Sequence, residues 1–114
     1  MYFVTDQQNI KMALISRNVI LDPKGEKVLG ITVGDCLFNS QSKVFGKIIN
    51  SQAYDLKGAI IGKIVLSNPA LTTHITQEQT NTSWQILTKI KEHTCPWIAI
   101  STEWSLLTFT DHLG

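Results

Sequence analysis

The side chains with the widest chemical range in this sequence are three histidines and two cysteines: His74, His93, His112, Cys36 and Cys95. A metal site needs ligand pairs that the fold can close on one ion, and such pairs usually sit close together in the chain. His93-Thr94-Cys95 is one close pair, but there is no second, and neither C-x-x-C nor H-x-x-x-H occurs. No metal and no cofactor is assigned. His93 has a sufficient local explanation, because a cationic side chain is favoured at the C-terminal end of a helix. A Cys–His nucleophile would have to join Cys95 or Cys36 to His74 or His112, and no fixed spacing brings them together. Cys95, just before Pro96, reads as helix-end packing. Both cysteines are expected as reduced, buried, small apolar side chains. No catalytic residue is assigned.

The remaining polar candidates have structural explanations. Asp6, Asp22 and Asp55 recur because turns need them, which argues against acid–base work. None of these loops carries the alternating oxygens of a calcium site. Gly25, Gly30 and Gly34 are not followed by a helix start or by Lys-Ser or Lys-Thr at phosphate-loop spacing. Lys43-Val44-Phe45 with Lys47 could stack single-stranded nucleic acid, but ten Lys and Arg against nine acids leave no basic stripe. Nucleic acid is therefore disfavoured as a partner.

Bulk properties set the frame. A chain of 114 residues with 43% hydrophobic and 17% charged residues belongs to the globular class. It is long enough to bury a core without a metal or disulfide. The N-terminus lacks a basic region followed by a long apolar stretch. The apolar run from Gly58 to Leu66 is broken by Lys63, so no membrane span is expected. The expected location is cytoplasmic, with no membrane partner.

What organises the chain is an internal repeat. Gly30, Gly46 and Gly62 are spaced by sixteen residues, each after a bulky apolar residue: Leu29, Phe45 and Ile61. Upstream lie Asp22, Asn39 and Asp55, following Leu21, Phe38 and Tyr54. The segments read LDPKGEKVLGI, FNSQSKVFGKI and YDLKGAIIGKI. A fainter copy, TDQQNIKMALI, puts Asp6 in the Asx place and Ala13 in the glycine place. Asp or Asn followed three residues later by Gly25, Gly58 or Asn9 is a turn signal, because the Asx side chain caps backbone N–H groups and the later residue tolerates positive φ. Ser42 holds that place in the third copy, which predicts a differently built turn. Each unit is a β-hairpin, and four of them cover residues 2–66. Strict alternation predicts Met12, Leu29, Phe45 and Ile61 on one face and Ala13, Gly30, Gly46 and Gly62 on the other. A recurring strand glycine predicts close approach by a neighbouring backbone or ring.

This pattern of apolar or aromatic residue, Asx, short turn, then apolar-Gly resembles the four-fold beta-flower domain. The resemblance implies hairpins in a pseudo-fourfold arrangement and implies no catalytic residues. Ala13 and Lys11 in the first copy depart from it. A weaker likeness to PRC-barrel domains rests on Asp55 to Gly62, a pattern expected there once, not four times.

After Ser67-Asn68-Pro69 the pattern changes. Residues 67–76 read as a linker. Thr76 with Gln79 fits a capping box, and Trp84, Leu87 and Ile90 with Ile86 form an apolar stripe, which predicts a helix over 77–94 lying across the sheet. Residues 97–110 read as short terminal strands, a hairpin or one bent strand, that must join the main sheet or a partner. The expected fold is mainly β (α+β): four sequential hairpin repeats, one α-helix and a short C-terminal hairpin or strand, in one domain over 1–114.

Trp84, Trp97 and Trp104 all fall in the last third. They are expected either to seal the helix onto the repeats or to form a contact patch for a ligand or partner. The favoured function is a non-catalytic binding or interaction module for an unknown protein or small molecule, with homo-oligomerisation included. The alternatives are a small hydrolase or transferase using Cys95 or a histidine in a groove between repeats and helix, and a ligand-sequestering accessory protein of a phage or bacterial conflict system.

Overall fold

Each Asx side chain folds its own turn. In the computed structural model, which describes residues 2–66, 76–90 and 97–105 together with Phe109 and Leu113, Asp6 Oδ1 accepts from the N–H groups of Gln8 and Ile10 at 2.8 and 2.9 Å. Asn39 Oδ1 does the same for Gln41 and Lys43 at 3.0 and 3.1 Å, and Asp55 Oδ1 for Lys57 and Ala59, both at 2.9 Å. Asp22 Oδ1 accepts from Glu26 at 2.7 Å. The residue three after each Asx takes positive φ: Asn9 at 63°, Gly25 at 74°, Ser42 at 62° and Gly58 at 89°. Ser42 therefore builds the same turn as the others, against the expectation of a different one. Its N–H donates to Asn39 O, as Gly25 does to Asp22 O and Gly58 to Asp55 O. The second turn is one residue longer: Asp22 N–H reaches Lys27 O, five residues on, where its counterparts reach four.

These turns join β1 (Tyr2–Thr5) to β2 (Lys11–Ser16), β3 (Val19–Leu21) to β4 (Val28–Val33), β5 (Cys36–Asn39) to β6 (Val44–Ile49) and β7 (Gln52–Asp55) to β8 (Ile60–Leu66). Between repeats the chain reverses in two residues. Arg17-Asn18 and Asn50-Ser51 have positive φ at both positions, and Gly34-Asp35 at the first only. These are the φ patterns of the mirror-image turns that match strand twist. Every strand pairs antiparallel with its chain neighbour, and β1 also pairs with β8, so eight strands close into a barrel. Closure leaves the barrel itself without a free sheet edge along its paired length.

A β-bulge recurs once per repeat. The register slips between Val4 and Thr5, Ile20 and Leu21, Leu37 and Phe38, and Ala53 and Tyr54. The additional residue on the returning strand is Met12, Leu29, Phe45 or Ile61. A bulge breaks alternation, which corrects the assignment of these residues and their glycine-place neighbours to opposite faces. Met12, Phe45 and Ile61 share the barrel core with Val4, Ala13, Ile15, Ile20, Leu37 and Ala53, and Leu29 packs against it. A Cβ on Gly46 would sit 3.4 Å from both Leu37 Cδ1 and Ile61 Cδ1 in that core and would collide with Tyr54 O. A Cβ on Gly30 would collide with Phe38 O, and one on Gly62 would lie 2.5 Å from Val4 Cγ1 and 3.4 Å from Thr5 O. Phe38, Tyr54 and Thr5 each immediately precede an Asx, so the three glycines face equivalent carbonyls.

The C-terminal third fills what the barrel leaves open. Thr76 caps α1 (Gln77–Thr88) in a capping box: its Oγ1 accepts from Gln79 N–H at 3.1 Å, and Gln79 Oε1 accepts from Thr76 N–H at 3.0 Å. The last N–H groups, of Lys89 and Ile90, bond three residues back to Ile86 O and Leu87 O. The helix so described ends inside the expected 77–94 span, and residues 91–94 lie outside the described residues. Of the expected linker 67–76, Thr76 is the helix cap and residues 67–75 also lie outside the described residues. Residues 97–105 add the C-terminal strand as a single parallel bridge, Ile60↔Trp104. Ser101 N–H donates to Gly58 O at 2.9 Å, Ile60 N–H to Glu103 O at 2.9 Å, and Ser105 N–H to Ile60 O at 2.8 Å. Phe109 is completely buried in the barrel core, edge-on to Phe45 with ring centroids 5.5 Å apart. Leu113 joins the same cluster. Among the described residues, no helix is long and apolar enough to cross a membrane.

Candidate functional site

Four sequence places, repeated, build the outer face where one repeat meets the next: the residue after the glycine place, the residues three and one before the next Asx, and the residue two before the next glycine place. At the second–third junction these are Ile31, Cys36, Phe38 and Val44, which form an apolar cluster with Ile86 and Ile90 of the helical region. At the first–second junction they are Leu14, Val19, Leu21 and Val28, again apolar. The third–fourth junction holds Lys47, Gln52, Tyr54 and Ile60, with Tyr54 Oη donating to Gln52 Oε1 at 2.6 Å. The fourth–first junction holds Lys63, Phe3, Thr5 and Lys11, with Lys11 Nζ 4.2 Å from the centre of the Phe3 ring. Helix α1 lies over the second–third junction, where the outer face is apolar and two polar anchors flank it.

Both anchors are departures from the repeat. Gln79 Nε2 donates to Gly25 O at 2.9 Å and to Glu26 O at 3.2 Å, in the turn that is one residue longer. Ser42 Oγ, in the turn that lacks Gly or Asn, donates to Ile86 O at 2.6 Å. One glutamine therefore both closes the capping box and docks the helix. These clamps set the rotation of α1. Gln79 and Ile86 are buried, whereas Trp84 is 59% exposed and Leu87 is exposed. The expected Trp84–Leu87–Ile90 stripe does not face the sheet as a unit; Ile86 and Ile90 do.

The face turned away from the clamps forms one wall of a groove of ≈ 490 Å³. Thr80, Ser83, Trp84 and Leu87, at helical spacing i, i+3, i+4, i+7, supply that wall. The opposite wall is the Arg17-Asn18 turn with Val19, and the floor is Ile31 to Gly34. Among the described residues of this lining, Arg17 is the one charged side chain. The polar groups are largely arranged: Thr32 Oγ1 donates to Asn18 Oδ1 at 3.2 Å, Thr80 Oγ1 to Thr76 O at 3.1 Å and Ser83 Oγ to Thr80 O at 2.7 Å. A volume of this size is in the ordinary range for small-molecule sites.

The three tryptophans are not brought to one patch. Trp84 lines this groove. Trp104 is half-buried beside Tyr54, Ile60 and Ile98, and it lines a second, smaller pocket of ≈ 210 Å³ with Asp6, Gln8, Met12 and Ile61. Lys63 Nζ sits 6.0 Å from its ring centre. Trp97 is 85% exposed. The expectation that all three rings seal the core holds for neither Trp84 nor Trp97; Phe109 and Leu113 enter the barrel core instead. Groove residues that sequence reasoning missed are Arg17, Asn18, Thr80 and Ser83. A signal existed for the first, since Arg heads a two-residue turn where Asn or Gly is usual.

Asp6, Asp22, Asn39 and Asp55 serve their turns, and Ala13, Gly30, Gly46 and Gly62 sit at the bulges, as described above. His74, His93, His112 and Cys95 lie outside the described residues. Cys36 is buried and disulfide-bonded, which corrects the expectation of a reduced thiol and removes it as a resting nucleophile. Cys95 is the other cysteine of the chain. Among the described residues, no group of three or more His, Cys, Asp or Glu could hold a metal ion. No known family model matches this chain, and no curated protein or solved structure matches it.

Proposed function

We propose that this chain is a non-catalytic binding domain that holds a small ligand in the groove between α1 and the β2–β3 and β4–β5 turns. The observation that carries the reading is Trp84. A large aromatic side chain more than half exposed, on the wall of a groove of ≈ 490 Å³ whose polar groups are already oriented, is placed to contact something other than its own core. The helix that presents it is fixed to the barrel at two points outside the groove, by Gln79 on the β3–β4 turn and by Ser42 on Ile86 O, so the wall is preorganised.

The four Asx-turn hairpins closing into one barrel support kinship with four-fold beta-flower domains over PRC-barrel domains, because the unit occurs four times. Self-association is the second form of the reading, and the exposure of Trp97 favours it. A disulfide at Cys36 favours an oxidising compartment over the cytoplasm expected from the sequence.

The groove is tested by thermal-shift screening of the intact chain against sugars, nucleotides, amino acids, fatty acids and short peptides. At least one class is expected to raise Tm in the wild type and to lose that effect in Ser83→Tyr, whose ring fills the groove. No stabilising class, or a shift that persists in the filled variant, overturns the proposal. Light scattering of wild type against Trp97→Ser reads self-association separately.

A further inference from the structure

The chemistry of the groove wall narrows the ligand, on the premise that the groove is a ligand site. We infer that it takes a nucleoside monophosphate, with the base on the Trp84 indole and the phosphate on the Arg17 guanidinium. Three features of the lining lead there.

The first is charge. Among the described residues of the lining there is one ionisable side chain, a guanidinium, and no carboxylate. Guanidinium matches phosphate in bidentate fashion, and no described anionic residue in the lining competes for it. Arg17 also stands at φ 50° in a two-residue turn, followed by Asn18 at 67°. That left-handed backbone favours Asn or Gly over a long side chain. The equivalent turns place Asn50 and Gly34 at the same position, so the turn does not itself call for arginine.

The second is the exposed indole of Trp84, which offers a face on which any base stacks. The third is hydrogen-bond polarity. The hydroxyls of Thr80, Ser83 and Thr32 already donate to protein oxygens, so what they offer a ligand is lone pairs. A matching ligand must bring N–H or O–H donors, as ribose hydroxyls and exocyclic amino groups do. Asn18 Oδ1 is taken by Thr32, which leaves the amide nitrogen as the donor end. A fatty acid lacks the donors and a neutral sugar lacks the anion. An amino acid adds an ammonium that the guanidinium repels. A nucleoside monophosphate supplies ring, donors and anion together.

The test follows tryptophan fluorescence in a Trp97→Phe/Trp104→Phe background, which leaves Trp84 as the single indole, with calorimetry on the unmodified chain as the second measurement. The probes are AMP, GMP, CMP and UMP, the four parent nucleosides, and inorganic phosphate. At least one nucleotide is expected to quench saturably and to bind about tenfold or more tightly than its nucleoside. Arg17→Asn, which suits the turn, should weaken that nucleotide by about tenfold while leaving the nucleoside unchanged. Trp84→Ala should weaken both. Absence of saturable binding by all four nucleotides at millimolar concentration, or an affinity indifferent to Arg17→Asn, overturns the inference. Should another ligand class bind and be blocked by Ser83→Tyr, the nucleotide assignment falls and the groove stands. If no class binds, both fall.

Discussion

The second–third and fourth–first junctions of the barrel have the same backbone and opposite surfaces. Ile31 pairs with Phe38 at one and Lys63 with Thr5 at the other, in the same register. The first junction is apolar, receives α1 and supports the groove. The second carries two lysines, one over Phe3 and one near Trp104, and the hydroxyl of Thr5, buried there, finds no hydrogen-bond partner among the described residues. A fourfold scaffold thus makes four similar slots, and a handful of side chains decides which slot is filled.

The sharpest way to break the comparison is at Phe38 and Thr5, which occupy the same place in their repeats. Phe38→Ala empties a buried ring position under the helix and should cost about 3–5 kcal/mol in chemical denaturation. A cost below about 1 kcal/mol would mean that α1 does not depend on this junction. The second expected effect is at the clamp. Gln79→Ala removes the capping-box return and both carbonyl contacts, so a loss of about 1–2 kcal/mol is expected, with weaker protection of α1 amides from hydrogen exchange. Unchanged exchange in α1 would show that the apolar cluster alone holds the helix. The third reverses sign. Thr5→Val replaces an unsatisfied hydroxyl by a methyl of the same shape and should stabilise the chain by about 1 kcal/mol; destabilisation would reveal a partner for that hydroxyl. The smallest effect is at Trp84. Trp84→Ala should move stability by no more than about 0.5 kcal/mol, as for an exposed position, so a large loss would make the ring structural and remove it from the groove argument.

Much of the barrel was legible because its signals are local. Asp6, Asp22, Asn39 and Asp55 announce their turns through bonds that span two to four residues, and Thr76 and Gln79 announce the helix start in the same way. The error at Ser42 came from treating residue type as decisive. Its left-handed φ is held by the Asn39 hydrogen bonds, and its hydroxyl serves α1, forty-four residues away. The missed bulges have a similar cause: an additional residue per returning strand is invisible until the partner strand shows two residues facing one. Arg17, Thr80 and Ser83 could not be grouped from sequence, since their only link is the packing of α1 beside the β2–β3 turn. Phe109 carried no periodic context to mark it as core.

The repeat, its turns, its glycines and the first turn of the helix were written in short-range patterns, where steric limits and side-chain caps act within a few residues. Barrel closure, the choice of the second–third junction for the helix and the groove beside it depended on contacts between residues far apart in the chain. Burial and charge are properties of assembled surfaces, and no single segment of this sequence carries them.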